Sequence, residues 1–208
     1  MDGLLVDSML HWLELDKEWF RGRDTELTPD LIKHLTGRSV QENIVYIKEQ
    51  YGFEESVEEL IREREGWFQK IYQEKTRVMP GVEELFVSIK KKLIFQALAS
   101  GAPMKVIDTV LDRFCWRGYF DELVSADHVN CVGKPDPGIF LYTAEKLRVK
   151  PAECVVFEDA ENGVVAAKRA GMACVAVPDS RWSFGNFDEA DLLVDSLENK
   201  QVYTFLGI

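Results

Sequence analysis

The stretch CVVFEDAENGVVAAKRAGMACVAV, Cys154–Val177, decides the fold. It opens with an unbroken apolar run, CVVF (Cys154–Phe157), too short for a helix and rich in β-branched valine. From about Glu161 to Ala170 the pattern is helical, and ACVAV (Ala173–Val177) is a second short apolar run. Strand, helix, strand at this spacing is a crossover unit whose two strands must run parallel. The unit repeats upstream. Val82, Leu85, Phe86 and Ile89 make a helix face before the run LIFQALAS (Leu93–Ser100). Val106, Ile107, Val110 and Leu111 make the next helix, before DELVSA (Asp121–Ala126). Ile139, Phe140 and Leu147 lie on a helix leading into Cys154, and DLLV (Asp191–Val194) follows later. The alternation predicts an α/β fold with a parallel sheet covered by helices on both faces. In such sheets ligands bind beyond the carboxyl ends of the strands.

Residues 11–78 follow a different grammar, helical throughout. Trp12, Leu15 and Trp19 recur at i, i+3, i+7, with Leu13 and Phe20 widening the face. Val40, Ile44, Ile47 and Tyr51 form a second face, and Val57, Leu60, Ile61, Phe68, Ile71 and Tyr72 a third. Thr28-Pro29 reads as an N-cap followed by proline at the first helical position, and Ser39-Val40-Gln41-Glu42 as a capping box. The expected division is therefore a sheet-bearing core of residues 1–10 and 79–208, and an inserted helical cap of residues 11–78. The chain crosses between them near Ser8–His11 and Val78–Gly81, the natural hinges.

Composition narrows the function. The 208 residues carry 25 Lys plus Arg against 36 Asp plus Glu, a net charge of −11, with 46% apolar and 11% aromatic residues. A chain so apolar folds, and one so acidic repels phosphate backbones, which argues against nucleic-acid binding. No apolar run approaches the ~18 residues that span a bilayer, and MDGLLVDS has no basic lead of the kind a signal peptide shows. Cys115, Cys131, Cys154 and Cys174 contain no C-x-x-C pair, and Cys154 and Cys174 fall in runs expected to be buried strands. Reduced thiols in a cytoplasmic protein are expected. His11, His34 and His128 lack metal-ligand spacing. Oligomeric state is not legible.

Polar residues gather at the expected strand ends. LIFQALAS ends in Ser100, followed by Gly101; CVVF runs straight into Glu158-Asp159; Lys134 lies in CVGKPDP after the DELVSA run; Asp2-Gly3 opens the chain, with Asp7-Ser8 behind. Each has a plainer reading: helix cap for the acidic pair, turn serine for Ser100, solvated turn lysine for Lys134, chain-end surface residue for Asp2. Together, in order, each at a strand end, they suit phosphoryl transfer. Carboxylate oxygens hold Mg²⁺, an ammonium and a hydroxyl take phosphate oxygens, and a further carboxylate moves the leaving group's proton.

The strings MDGLLVDS, ALASGAP, GKPDPGIF and VVFEDAENGVVAAKRAGM resemble the haloacid dehalogenase superfamily of phosphohydrolases, and within it the branch of beta-phosphoglucomutase-like and sugar-phosphate phosphatases. The resemblance covers essentially the whole chain. It implies a Rossmann-like core with a helical cap inserted between the first and second motifs, where the helical region falls. It further implies that Ser100 binds phosphate, that Lys134 balances charge on nucleophile and phosphoryl group, and that Glu158 and Asp159 hold Mg²⁺. Asp2 matches the general acid/base, which also lends its backbone carbonyl to the metal. An aspartate there favours phosphatase or mutase chemistry over dehalogenation.

The family motif reads Asp-x-Asp-Gly with the first aspartate as nucleophile. Met1 occupies the x position, so the nucleophile and the strand that presents it are expected just before Met1. A start assigned at an internal methionine, a truncated product and a non-catalytic relative all account for this; the retained Asp2, Lys134, Glu158 and Asp159 favour the first. The expected function is a Mg²⁺-dependent phosphomonoesterase acting on a small phosphorylated metabolite, a sugar phosphate above all, through an aspartyl-phosphate. A phosphosugar mutase is the alternative, disfavoured because Thr36 and Val40 stand where the mutase loop is basic and Trp12 where it has histidine. A non-catalytic phospho-ligand or protein-binding module is the third reading. Candidate substrate contacts are Gly37, Arg38 and Ser39 in the cap loop LTGRSV, Lys70 and Gly101, with the capping box an equal explanation for Ser39.

Overall fold

The helices of the N-terminal third begin where the sequence supplies their caps. The computed structural model describes residues 1–208, the side chain of Gln69 excepted. After α1 (Ser8–Arg21), α2 (Pro29–Leu35) starts at Thr28, whose Oγ1 accepts a hydrogen bond from Leu31 N at 3.2 Å. α3 (Val40–Tyr51) and α4 (Val57–Gln69) start at Ser39 and Ser56, each in a reciprocal capping box with a glutamate three residues on. α4 runs on into a π-helical turn, Lys70–Lys75. The helices close on their own core of Trp19, Phe20, Leu31, Ile44, Ile47 and Leu60. Each such burial is worth roughly 1.5–3 kcal/mol.

The two crossings into the rest of the chain lie side by side. Val6 bridges Val78 antiparallel, Asp7 N donates to Arg77 O at 3.0 Å, and Met79 N donates to Leu5 O at 2.9 Å.

From there strands and helices alternate: α5 (Val82–Lys91), β1 (Ala97–Ser100), α6 (Met104–Arg113), β2 (Glu122–Ser125), α7 (Gly138–Leu147), β3 (Val155–Glu158), α8 (Glu161–Arg169), β4 (Ala173–Ala176), β5 (Leu192–Leu193) and α9 (Lys200–Leu206). All pairings are parallel: β1 with β2, Ser100 opposite Ser125; β3 with β4, Glu158 opposite Ala176; β4 with β5. Along β4 the side chains alternate between two cores. Val175 packs with α5, α6 and α9 residues such as Phe86, Ile107 and Val202, whereas Cys174 and Ala176 pack with α7 and α8 residues such as Phe140 and Ala167. The sheet is thus covered on both faces, as a near-continuous apolar strand demands.

Three strand expectations are corrected. The run at 93–100 yields a strand only from Ala97, because the ladder with β2 ends at the bond from Asp121 N to Gln96 O; Leu93 is left-handed (φ 57°) and 91% exposed. DLLV supplies only Leu192–Leu193. Cys154 lies just ahead of β3 and is half-buried rather than inside a buried strand.

The strands also divide into two groups, β1–β2 and β3–β4–β5, and among the described residues no ladder joins β1 to β3. A cavity of about 580 Å³ lies along both, lined by Ala97, Leu98 and Ala99 on one side and Val155, Val156 and Phe157 on the other. The apolar Leu93, Ile94 and Phe95 border it, as does Met1.

Candidate active site

A second cavity, of about 180 Å³, lies between the helical bundle and the carboxyl ends of β1 and β3. Asp2, Ser100, Gly101, Lys134, Glu158 and Asp159 line it from below, and Trp12, Asp16, Gly37, Arg38, Asn43 and Arg64 from the bundle. The strand-end residues singled out from sequence therefore do converge. Met1 borders both this cavity and the one between β1 and β3.

The plainer readings fail for Lys134, the acidic pair and Asp2, and hold in part for Ser100. Lys134 is buried, ion-paired through Nζ to Glu158 Oε1, and lies 4.9 Å over the Phe140 ring. The N-cap of α8 is Ala160, so neither Glu158 nor Asp159 caps that helix through its side chain. Ser100 Oγ does accept a turn bond from Ala102 N at 3.2 Å, which leaves its O–H to donate toward the cavity. Asp2 is anchored rather than loose: its Oδ1 accepts from Ser8 Oγ at 2.6 Å and from Tyr72 Oη at 2.5 Å.

Glycines let the acidic pair sit this close to the chain. A Cβ on Gly163 would fall 2.1 Å from the Glu158 carboxylate, and one on Gly3 (φ 72°) would fall 2.3 Å from Asp159 Oδ2. Burial first, and then the neighbouring charge of Glu158, push the Asp159 carboxyl up to about 8. Two adjacent buried carboxylates facing a single lysine are under-neutralised. Among the described residues no group of three or more acidic, thiol or imidazole side chains forms a complete cage. Mg²⁺ does not need one, since it keeps several waters and takes one or two carboxylates. The all-oxygen set of Glu158 and Asp159, with Asp2 across the cavity, fits that ion.

The cap loop closes onto the core. Cβ atoms on Gly101 and Gly133 would lie 2.7 Å from Arg38 O and 2.4 Å from Ser39 N, so only glycine admits the loop at these points. The Ser39 hydroxyl reaches Cys131 O at 2.6 Å, Gly133 N donates to Glu42 Oε2 at 2.7 Å, and Asn162 Nδ2 donates to Thr36 O at 2.8 Å. Ser39 is thereby spent on capping and on the core contact, and it does not line the cavity. Lys70 is exposed and lies outside it as well. Gly37, Arg38 and Gly101 do line it.

Several lining residues escaped the sequence reading. Tyr72 is 3% exposed; its hydroxyl accepts from Trp12 Nε1 at 3.0 Å while donating to Asp2. Burial, reinforced by the charge of Asp2, holds its phenol well above the ordinary tyrosine range, so it remains a donor. Asp16 and Arg64 were detectable as charges on the otherwise apolar stripes Trp12-Leu13-Trp19-Phe20 and Val57-Leu60-Ile61-Phe68.

A parallel α/β core whose strand ends face a helical cap across a buried lysine–carboxylate–hydroxyl site defines a capped hydrolase-type fold. The profile of the haloacid dehalogenase-like hydrolases matches residues 1–177, and the chain belongs to that family. It is 31% identical to hexitol phosphatase B of Escherichia coli K12 over 210 residues, covering 100% of this chain and 94% of that one. It is 33% identical to the phosphorylated carbohydrates phosphatase of Thermotoga maritima over 172 residues, covering 83% of this chain and 79% of that one. Among solved structures, beta-phosphoglucomutase from Clostridium difficile superposes with a TM-score of 0.80 at 26% identity, covering 99% of this chain and 92% of that one. No helix is long and apolar enough to cross a membrane among the described residues.

Proposed function

We propose that the full gene product is a Mg²⁺-dependent phosphomonoesterase of small phosphorylated metabolites, sugar phosphates above all, working through an aspartyl-phosphate. The observation that carries this is the convergence of Asp2, Ser100, Lys134, Glu158 and Asp159 on one cavity beneath the cap. The curated relatives named above, phosphatases of hexitols and of phosphorylated carbohydrates, support the same substrate class. The nucleophile belongs to the residue preceding Met1. The cavity between β1 and β3 is apolar, runs along two unpaired strand edges and meets the site at Met1. An extended segment there completes the sheet and delivers its last residue to the phosphate.

In this reading the aspartate ahead of Met1 attacks phosphorus, and the bond to the leaving oxygen breaks as Asp2 gives that oxygen its proton. Water then attacks the acyl-phosphate, Asp2 takes the water's proton, and inorganic phosphate leaves. Ser8 and Tyr72 both donate to Asp2 Oδ1 and hold the carboxylate in place through these steps. Ser100 O–H and the Lys134 ammonium stabilise the phosphoryl oxygens. Glu158 and Asp159 would hold Mg²⁺, which would offset the charge on the transferring group. Trp12 donates to Tyr72 and offers no imidazole to a second sugar phosphate, which favours water over a sugar as acceptor. Phosphate release from a panel of sugar and polyol phosphates tests the proposal. Turnover that needs Mg²⁺ and is lost in Asp2→Asn supports it; turnover unaltered by EDTA and by that substitution overturns it.

A further inference from the structure

The last helical stretch before the chain returns to the sheet breaks register. α4 ends at Gln69 and Lys70–Lys75 continue as a π-helical turn, in which Thr76 N donates five residues back, to Ile71 O, at 3.0 Å. In an α-helix that N–H would go to Tyr72 O. Tyr72 O is taken instead by a side chain from another element. Arg113, the last residue of α6, donates from Nη1 to Tyr72 O at 2.6 Å and to Thr76 Oγ1 at 2.8 Å. Arg77 N, the next donor along, is committed to Asp7 Oδ1 at 2.6 Å. The acidic residues of α6, Asp108 and Asp112, pair with Arg117, which leaves the Arg113 guanidinium to the turn. Ile71, Tyr72 and Thr76 are buried, and the first two pack with Val106, Val110 and Leu111 of the same helix.

A π turn holds one residue more than an α turn, and such single turns are rare and gather at functional sites. Reverting to the α register here requires Tyr72 O to accept from Thr76 N. Arg113 occupies that carbonyl and holds the Thr76 hydroxyl as well, so it opposes the change at both residues. The register matters because of where it aims Tyr72, whose hydroxyl donates to Asp2 Oδ1 at 2.5 Å and accepts from Trp12 Nε1 at 3.0 Å. One residue out of register turns a helical side chain by about 100°, enough to take the phenol off Asp2. We infer that Arg113 is a positioning residue for proton transfer: by holding the π register it keeps the Tyr72 hydroxyl on Asp2. The inference rests on the reading of Asp2 as acid and base given above, and adds to it a residue that does not touch the site.

Arg113 is itself exposed, so Arg113→Met removes the donors without opening the core. In the full gene product isotope-labelled at tyrosine Cζ, the NMR signal missing from Tyr72→Phe belongs to Tyr72. Arg113→Met should shift that signal as the phenol leaves the carboxylate, and Arg113→Lys, which returns a donor to Tyr72 O, should bring it back. A Tyr72 signal unmoved in Arg113→Met overturns the inference without any need for turnover. Kinetics with Mg²⁺, on the most active ester of the sugar and polyol phosphate panel, read the consequence. Arg113→Met should lower kcat about tenfold with KM little changed. In a Tyr72→Phe background the same substitution should change kcat less than about twofold, because the hydroxyl it positions is gone. Equal losses in the two backgrounds, or a wild-type kcat in Arg113→Met, overturn the inference. Should Arg113→Met fail to fold, Arg113→Gln carries the same cycle. Absence of phosphate release by the wild type from every ester would instead overturn the phosphatase reading, and the NMR comparison alone would then decide whether Arg113 places Tyr72.

Discussion

Replacing Gly163 with alanine sets helix propensity against the geometry of the acidic pair. Gly163 lies in α8, where alanine should stabilise by about 0.5–1 kcal/mol on backbone entropy alone. The structure reverses the sign. An added Cβ would sit 2.1 Å from Glu158 Cδ and Oε2 and 2.6 Å from Cγ, so rotating the carboxylate alone does not relieve the clash. Glu158 is 4% exposed and paired with the buried Lys134, which leaves it nowhere to go without breaking that pair. Overpacking costs about 1–3 kcal/mol, and stranding one partner of a buried ion pair about 3–5 kcal/mol. After subtracting the propensity gain, a net loss of roughly 1–4 kcal/mol is expected. For a chain of this length that lowers the melting temperature by roughly 3–12 °C. Calorimetry reads the stability, and phosphate release with a Mg²⁺ titration reads the site, where kcat/KM should fall at least about tenfold. A Gly163→Ala protein with a raised melting temperature and full activity would refute the placement of Glu158 against α8.

Tyr72→Phe removes one of the two donors on Asp2 and strands Trp12 Nε1; a lost hydrogen bond to a charged group is worth about 1.5–3 kcal/mol, so kcat should drop about 10–100-fold with a smaller change in KM, and an unaltered kcat would contradict the positioning role. Burial and the charge of Glu158 push the Asp159 carboxyl up to about 8, above its unfolded value of about 3.9. Folding therefore favours its protonated form: the contribution to stability is whole below about pH 4 and is lost as pH rises through about 8. In EDTA the melting temperature should fall over that window relative to Asp159→Asn, and Mg²⁺ should shrink the fall by displacing the proton; parallel curves for the two proteins would contradict this. Cys174 is buried with its thiol pushed up to about 12, whereas Cys115 is exposed. Alkylation near neutral pH followed by mass spectrometry should label Cys115 first and reach Cys174 only on unfolding.

The elements legible in the sequence were those whose signals are local. Thr28-Pro29 and Ser39–Glu42 cap their helices as the spacing predicts, because a cap depends on atoms three residues away. The βαβ unit at Cys154–Val177 was readable because strands buried on both faces leave apolar runs. LIFQALAS was over-read for the converse reason: a run of that composition extends as a strand only as far as a partner pairs with it, and the β1–β2 ladder stops at Gln96. In the site, Asp2, Ser100, Lys134, Glu158 and Asp159 each follow a strand or turn, so chain order located them. Tyr72, Asp16, Asn43 and Arg64 line the cavity from helical segments far apart in sequence, and their meeting there is set by bundle packing rather than by spacing. Ser39 and Lys70 lie outside the cavity lining. A loop serine and a nearby lysine look available in sequence, yet the first is committed to Glu42 and Cys131 and the second points to solvent.

In the proposed reaction a phosphoryl group passes from substrate to an aspartate immediately ahead of Met1 while Asp2 manages the protons. Rapid acid quench of the full gene product during turnover, in the wild type and in Asp2→Asn, where both departure of the leaving oxygen and hydrolysis of the acyl-phosphate are slowed, followed by peptide mass spectrometry, tests it directly. The account predicts one phosphoryl group on the residue preceding Met1. A phosphoryl group on any other residue, or steady turnover of the wild-type protein with no covalent adduct in either form, would contradict it.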